Sequence, residues 1–143
     1  MNFPIKFISN NENDTKNIAL ELTKILTNGD IVVLDGDLGA GKTFLVKQFA
    51  KLFNLENVNS PTFAIVNVYD GEIKINHFDF YRIEEQRELL DIGFNDYISD
   101  QDAITFIEWG SLYSELLPNK CYIISITFDE ELNRIFEINR RDK

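Results

Sequence analysis

The chain has one cysteine, one histidine, one tryptophan and one methionine in 143 residues, and little positive charge: 14 Lys and Arg face 24 Asp and Glu, for a formal net charge of −10. Each shortage excludes something. Cys121 alone can build no intrachain disulfide and no cysteine-based metal site, and His77 alone cannot found a histidine metal site. Nucleic-acid binding draws most of its affinity from Lys and Arg contacts to phosphates, so this acidic surface should repel RNA and DNA, and any such role is expected to run through a partner. No stretch approaches the roughly 20 apolar residues that span a bilayer, and "MNFPIKFISN" lacks the long apolar centre and cleavage site of a signal peptide. The expectation is a cytoplasmic protein with no membrane attachment. The C-terminal "NRRDK" reads as a small basic patch or as a frayed, solvated tail.

What is present is core material. Hydrophobic residues make up 44% of the chain, twelve of its residues are Phe, and the length suits one domain over residues 1–143 with no repeat or linker. "FPIKFI" predicts a short strand, and "NNENDTKNIALELTKIL" a helix with Asn and Asp capping groups ahead of Ile18, Leu22 and Ile25. "IVVLDG" is a β-branched run of the kind covered on both faces of a sheet. It leads through a glycine loop into a helical pattern with Phe44, Leu45, Phe49 and Leu52 as its stripe. "AIVNVY" and "IKINHFDF", separated by an Asp-Gly turn, predict an antiparallel pair. "EEQRELLDI" predicts a short helix stopped by Gly93, "FNDYISD" a further turn or short helix, and "AITFIEW" an apolar strand ending in an acid. "SLYSELL" reads as helical up to Pro118, and "CYIISITFD" with "RIFEIN" as a closing strand pair. Early helices between strands and later hairpins make an α/β fold with a mixed, mainly parallel sheet and added antiparallel hairpins.

Residues 36 to 43, "GDLGAGKT", fit the phosphate-loop pattern G-x-x-x-x-G-K-[ST] at every fixed position. The three glycines, Gly36, Gly39 and Gly41, let the backbone of the loop Gly36, Asp37, Leu38, Gly39, Ala40 and Gly41 curl with its N–H groups around a polyphosphate at the positive end of the next helix. Lys42 can reach the β- and γ-phosphates and the Thr43 hydroxyl can hold magnesium. The fold class is therefore the three-layer phosphate-loop NTPase type. The base-reading Asn-Lys-x-Asp of a GTPase is missing, since Asn119-Lys120-Cys121 ends in Tyr122, and no Asp-x-x-Gly follows a strand, so ATP and ADP are expected rather than GTP.

Phosphate chemistry needs an acid near magnesium and a group to orient water. Two predicted strands end in acids, Asp79 and Glu108, and open α/β sheets gather ligands at the carboxyl ends of their strands. Glu108 is the better Walker B-like candidate, against an inert strand-end glutamate. Asp79 is either a water-orienting acid or a cap for the next helix. Alternation in "NHFDFYRI" puts His77, Asp79 and Tyr81 on one strand face with Phe78 and Phe80 on the other. His77 itself reads as a structural histidine. Thr62 in "SPTF" is either a switch-loop hydroxyl or the end of a proline turn, Arg82 a phosphate sensor or a partner contact, and Trp109 either core or a shield beside Glu108. The surroundings of Asn11 and Asn133 are candidates to neighbour adenine.

"GDLGAGKT", "SPTF", "HFDFYR", "ELLDIGFNDY" and "IEW" follow one another in the order and approximate spacing of the TsaE (YjeE) family, which the chain resembles from about Asn11 to Asp129. The resemblance implies a small ATPase of tRNA threonylcarbamoyladenosine biosynthesis. It would work with the TsaD and TsaB proteins in placing threonylcarbamoyl on adenosine 37 of tRNAs that read ANN codons, resetting that machinery rather than modifying the base and touching tRNA only indirectly. It implies Lys42 and Thr43 as phosphate and magnesium residues, Thr62 in a switch-like segment, Asp79 in an H-x-D-x-Y-R motif, and Glu108 with Trp109 at the acidic strand end. Phe44 stands where the family often has a second threonine, and Gly110-Ser111 where it often has a proline or an acid. Two other classes share the loop: a small-molecule kinase, for which Arg82 and Arg87 as the only mid-chain arginines leave little material for a lid, and a nucleotide-sensing module with negligible turnover.

Overall fold

The β-branched run that the sequence places in the interior is the centre of the sheet. In a computed structural model describing residues 2–55 and 65–142, β2 (Ile31–Gly36) lies between β5 (Ala103–Glu108) and β6 (Cys121–Phe128) and is parallel to both. Its first four residues are buried because layers cover both faces, which is why the run shows no polar alternation. Beyond β5 comes β4 (Lys74–Asp79), parallel to it, and then β3 (Val66–Asp70), antiparallel to β4 through the Asp-Gly turn. Beyond β6 the antiparallel β7 (Arg134–Arg141) and β1 (Ile5–Ser9) complete a seven-stranded sheet of order β1-β7-β6-β2-β5-β4-β3.

Helices α1 (Glu12–Ile25) and α2 (Lys42–Lys51) cover one face. Asn11 caps α1, its side chain accepting from the Asp14 N–H at 2.9 Å, and Ile18 and Leu22 pack with Leu45, Phe49 and Phe106. The stripe of α2 is rotated from the predicted one: Val46 and Ala50 join Leu45 and Phe49 in the core, whereas Leu52 is exposed and Phe44 lines a cavity. The first turn of α2 is committed to the loop before it, so Phe44 turns toward that cavity rather than the sheet. On the opposite face α3 (Arg87–Asp91), α4 (Phe94–Ile98) and a 3₁₀ segment over Gly110–Leu116 cover Val33, Phe78, Phe80 and Ile107, with Phe78 and Phe94 in edge contact at 5.1 Å. This is the three-layer α/β architecture of phosphate-loop proteins.

Two further expectations change. β4 stops at Asp79, and Phe80–Arg82 turns as a 3₁₀ helix, so Tyr81 does not continue the face of His77 and Asp79 but stands 54% exposed. The cause is Asp79 itself, whose Oδ1 accepts from the Tyr81 N–H at 3.0 Å and closes the turn. Residues 139–141 of the basic segment are no frayed tail: β7 runs to Arg141, and the Arg140 guanidinium lies 4.5 Å from the centre of the Tyr122 ring. Among the described residues no helix is long and apolar enough to cross a membrane.

Candidate functional site

Parallel neighbours end together, and here that brings three chemistry-bearing strand ends to one edge. Leu34 pairs with Glu108 and Asp79 pairs with Glu108, so the loop after β2 and both acids share the carboxyl edge of the sheet. Above them lies a cavity of about 480 Å³ lined by Leu38, Gly39, Ala40, Gly41, Lys42 and Thr43, with Asp79, Tyr81, Arg82, Glu108 and Trp109 on its walls. Gly41 caps α2 with φ of +109°, a conformation that a side chain would strain. Gly36 is required by close approach, since a Cβ there would come within 3.0 Å of the Ile126 carbonyl and 3.1 Å of Ala40.

Lys42 is only 5% exposed. Its Nζ donates to the carbonyls of Gly36 and of Asp37, the latter at 3.1 Å, and sits 4.1 Å from the centre of the Trp109 ring. Burial pushes its pKa down, and the charges of Glu108, Asp79, Asp35 and Asp37 oppose that fall. Trp109 is a non-glycine residue at φ of +62°, which costs about 1–2 kcal/mol. Its backbone N–H donates to the Leu34 carbonyl at 3.3 Å and its ring meets the Tyr81 ring at a tilt of 40° and 5.1 Å between centres, so the strained backbone holds the indole against the lysine. A Cβ at Gly110 would lie 2.8 Å from Val33, which explains why a glycine follows the tryptophan.

The Thr43 hydroxyl donates to Glu108, 2.8 Å from Oε2 and 3.1 Å from Oε1. Asp79 is pushed up in pKa by burial foremost and by the Glu108 charge, against its bond from Tyr81 N–H and the charges of Arg82 and His77. Arg82 Nε stands 4.0 Å from Asp79 Oδ2. Thr62 falls outside the described residues. Among the described residues no cluster of three or more His, Cys, Asp or Glu could enclose a metal. That donor set still fits magnesium, which is held through a hydroxyl, one or two carboxylates, waters and substrate phosphates rather than by an all-protein cage.

A family model described as "Threonylcarbamoyl adenosine biosynthesis protein TsaE" matches residues 9–136. The chain belongs to the TsaE family of tRNA threonylcarbamoyladenosine biosynthesis. It is 36% identical over 134 residues to a Rickettsia felis protein named for that family, covering 92% of this chain and 77% of that one. It is 39% identical over 118 residues to the Bacillus subtilis protein of the same name, covering 81% and 73%. In three dimensions it is similar to the crystal structure of Bacillus subtilis YdiB with a TM-score of 0.79 and 29% identity, over 100% of this chain and 88% of that one.

This TsaE-family site contains residues that the sequence did not single out. Arg134, at the mouth of β7, donates from Nε to the Ala40 carbonyl at 2.8 Å, across 94 residues of chain. Arg134, Phe136, Glu12 and Thr15 line the same cavity as the phosphate loop, beside the Asn11 and Asn133 neighbourhoods expected near adenine. The available signal was the alternation of "RIFEI", which puts Arg134 on the face of Phe136 and Ile138. Asp35 is another. Burial pushes its pKa up, opposed by a bond with Ser111 and by the Lys42 charge, and its Oδ1 has no partner among the described residues.

Because the folded pKa of Asp35 exceeds the unfolded one, the native state holds the proton more tightly. The group's contribution to stability is full below the ordinary carboxylate range and is lost as pH rises through the raised value. Asp35→Asn is therefore expected to raise the melting temperature by a few degrees at about pH 7 and to gain almost nothing at about pH 4. Thermal denaturation at the two pH values checks this, and a gain independent of pH would rule out the charge as its cause.

Proposed function

We propose that this chain binds and hydrolyses ATP with magnesium as the accessory ATPase of the TsaD–TsaB machinery, which places threonylcarbamoyl on adenosine 37 of tRNAs reading ANN codons. The observation that carries the reading is the contact between Thr43, at the start of the helix after the phosphate loop, and Glu108 at the end of the neighbouring strand. That contact would join the loop side and the acidic side of a magnesium-nucleotide site. The backbone of residues 36–41 at the N-terminus of α2 supplies the donors and the helix-end charge for phosphate. The Lys42 ammonium, already stripped of most of its water, neutralises phosphate charge at little further desolvation cost. Thr43 and Glu108 are the residues that would hold magnesium, which when bound spreads the charge developing on the phosphoryl oxygens. Asp79, its pKa raised by burial, is the group that would orient water and accept its proton. Arg82 and the exposed Tyr81 at the cavity rim are the contacts for phosphate or for TsaD–TsaB.

The net charge of −10 supports indirect rather than direct dealings with tRNA. The deciding experiment measures ATP turnover by the chain alone, with TsaD and TsaB, and with small phosphate acceptors. Slow turnover alone that rises with TsaD and TsaB is expected. Phosphate appearing on a small acceptor would make the protein a kinase instead, and no turnover under any condition would leave a sensing module.

A further inference from the structure

His77 is fully buried on β4, on the same sheet face as α2, and its Nε2 lies 2.5 Å from Glu108 Oε2. Its Nδ1 has no partner among the described residues. An imidazole with one nitrogen unpaired in the interior is a poor choice for stability, since an apolar side chain of similar volume would carry no desolvation penalty. What the histidine does provide is a rigid donor beneath the carboxylate. Glu108 is thereby fixed from two sides, by the Thr43 hydroxyl at the cavity and by the imidazole from within the sheet.

We infer that His77 is the positioning residue for Glu108, holding its carboxylate aimed at Thr43 and the magnesium-nucleotide position. The inference rests on the ATPase reading above. The geometry has a simple origin. In the parallel register His77 is opposite Phe106, two residues before the Asp79–Glu108 pair, so its ring reaches forward along the sheet to the Glu108 side chain. The chain of contacts runs Thr43, Glu108, His77, linking α2, β5 and β4 through a single carboxylate oxygen. A hydrogen-bond donor behind a metal-directed carboxylate fixes its orientation, and losing such a partner typically costs about 10–100-fold in metal affinity or activity.

Because the chain has one histidine, every imidazole signal in a nitrogen-15 spectrum of the full-length protein belongs to His77. The expected result is a protonated Nε2 whose proton is protected from exchange. That signal should move in Glu108→Gln and move again when magnesium and ADP are added to the parent protein. An Nδ1–H tautomer, or a signal indifferent to Glu108→Gln, overturns the assignment. A second arm compares His77→Gln, whose amide nitrogen reaches about as far as Nε2, with His77→Asn, which is one bond too short. His77→Gln should keep kcat within about threefold of the parent, whereas His77→Asn should lose about tenfold or more, with KM for ATP unchanged and a higher magnesium requirement. Equal rates and equal magnesium dependence in these two variants, matched for melting temperature, would overturn the positioning role. Full turnover in Glu108→Gln would instead refute the parent reading, leaving the histidine contact to be judged by the spectrum.

Discussion

Lys42→Ala is expected to abolish nucleotide binding, weakening the Kd for ATP and ADP by about 100-fold or more. Truncating one partner of a buried, hydrogen-bonded charge pair costs about 2–5 kcal/mol, and each 1.4 kcal/mol is tenfold. The ammonium falls in that class because it is buried and held by loop carbonyls and the indole face of Trp109. Four carboxylates act on it, Glu108, Asp79, Asp35 and Asp37. Without the lysine, a polyphosphate would face those acids with only the loop N–H groups and the helix end as compensation. Titration calorimetry with ATP and with ADP reads the effect. A Kd within about threefold of the parent's would show that the loop backbone alone carries the phosphates.

Glu108→Ala is expected to leave nucleotide binding nearly intact while lowering turnover by about 100-fold or more, the size of effect seen when a charge-directing group is removed from a reacting centre. The two variants differ because Lys42 is complementary to the phosphates themselves, whereas Glu108 is joined to Thr43 and acts through the metal position. The same substitution removes one cause of the raised Asp79 pKa, so the Asp79 carboxyl should titrate lower in Glu108→Ala than in the parent, with burial still holding it up. Full turnover in this variant would refute the role given to Glu108. A fall in binding equal to the fall in turnover would move Glu108 from the chemistry to nucleotide capture.

Much of the site was legible because its chemistry is local in sequence. Gly36 to Thr43 are contiguous, so their spacing alone specifies loop and helix start, and the β-branched run before them specifies a central strand. The alternation in "NHFDF" likewise places His77 and Asp79 opposite Phe78. It fails at Tyr81 because one side-chain bond from Asp79 turns the chain, a cap that the sequence allowed as an alternative but did not rank against continued pairing. Arg134 was missed for a topological reason. β7 runs antiparallel to β6, with Arg134 opposite Phe128, so the beginning of β7 lies at the carboxyl edge of the parallel strands. A reader of the sequence who looks for ligands at strand ends does not look at a strand's first residue.

By itself the sequence determined the phosphate loop, the acids that end two strands, the family to which the chain belongs and the acidic surface, because these follow from residue types at short, fixed separations. The tertiary structure alone decided which distant groups meet. Strand order and register put Glu108 between Thr43 and His77, 65 and 31 residues away along the chain, and brought Arg134 to the loop. Those contacts depend on which strands become neighbours, and neighbour choice is set by burial of the whole sheet between its two helical layers rather than by any local pattern. The polar end of the strand over Lys74–Asp79 is thus a local pattern in sequence and a shared hydrogen-bonded carboxylate in the fold.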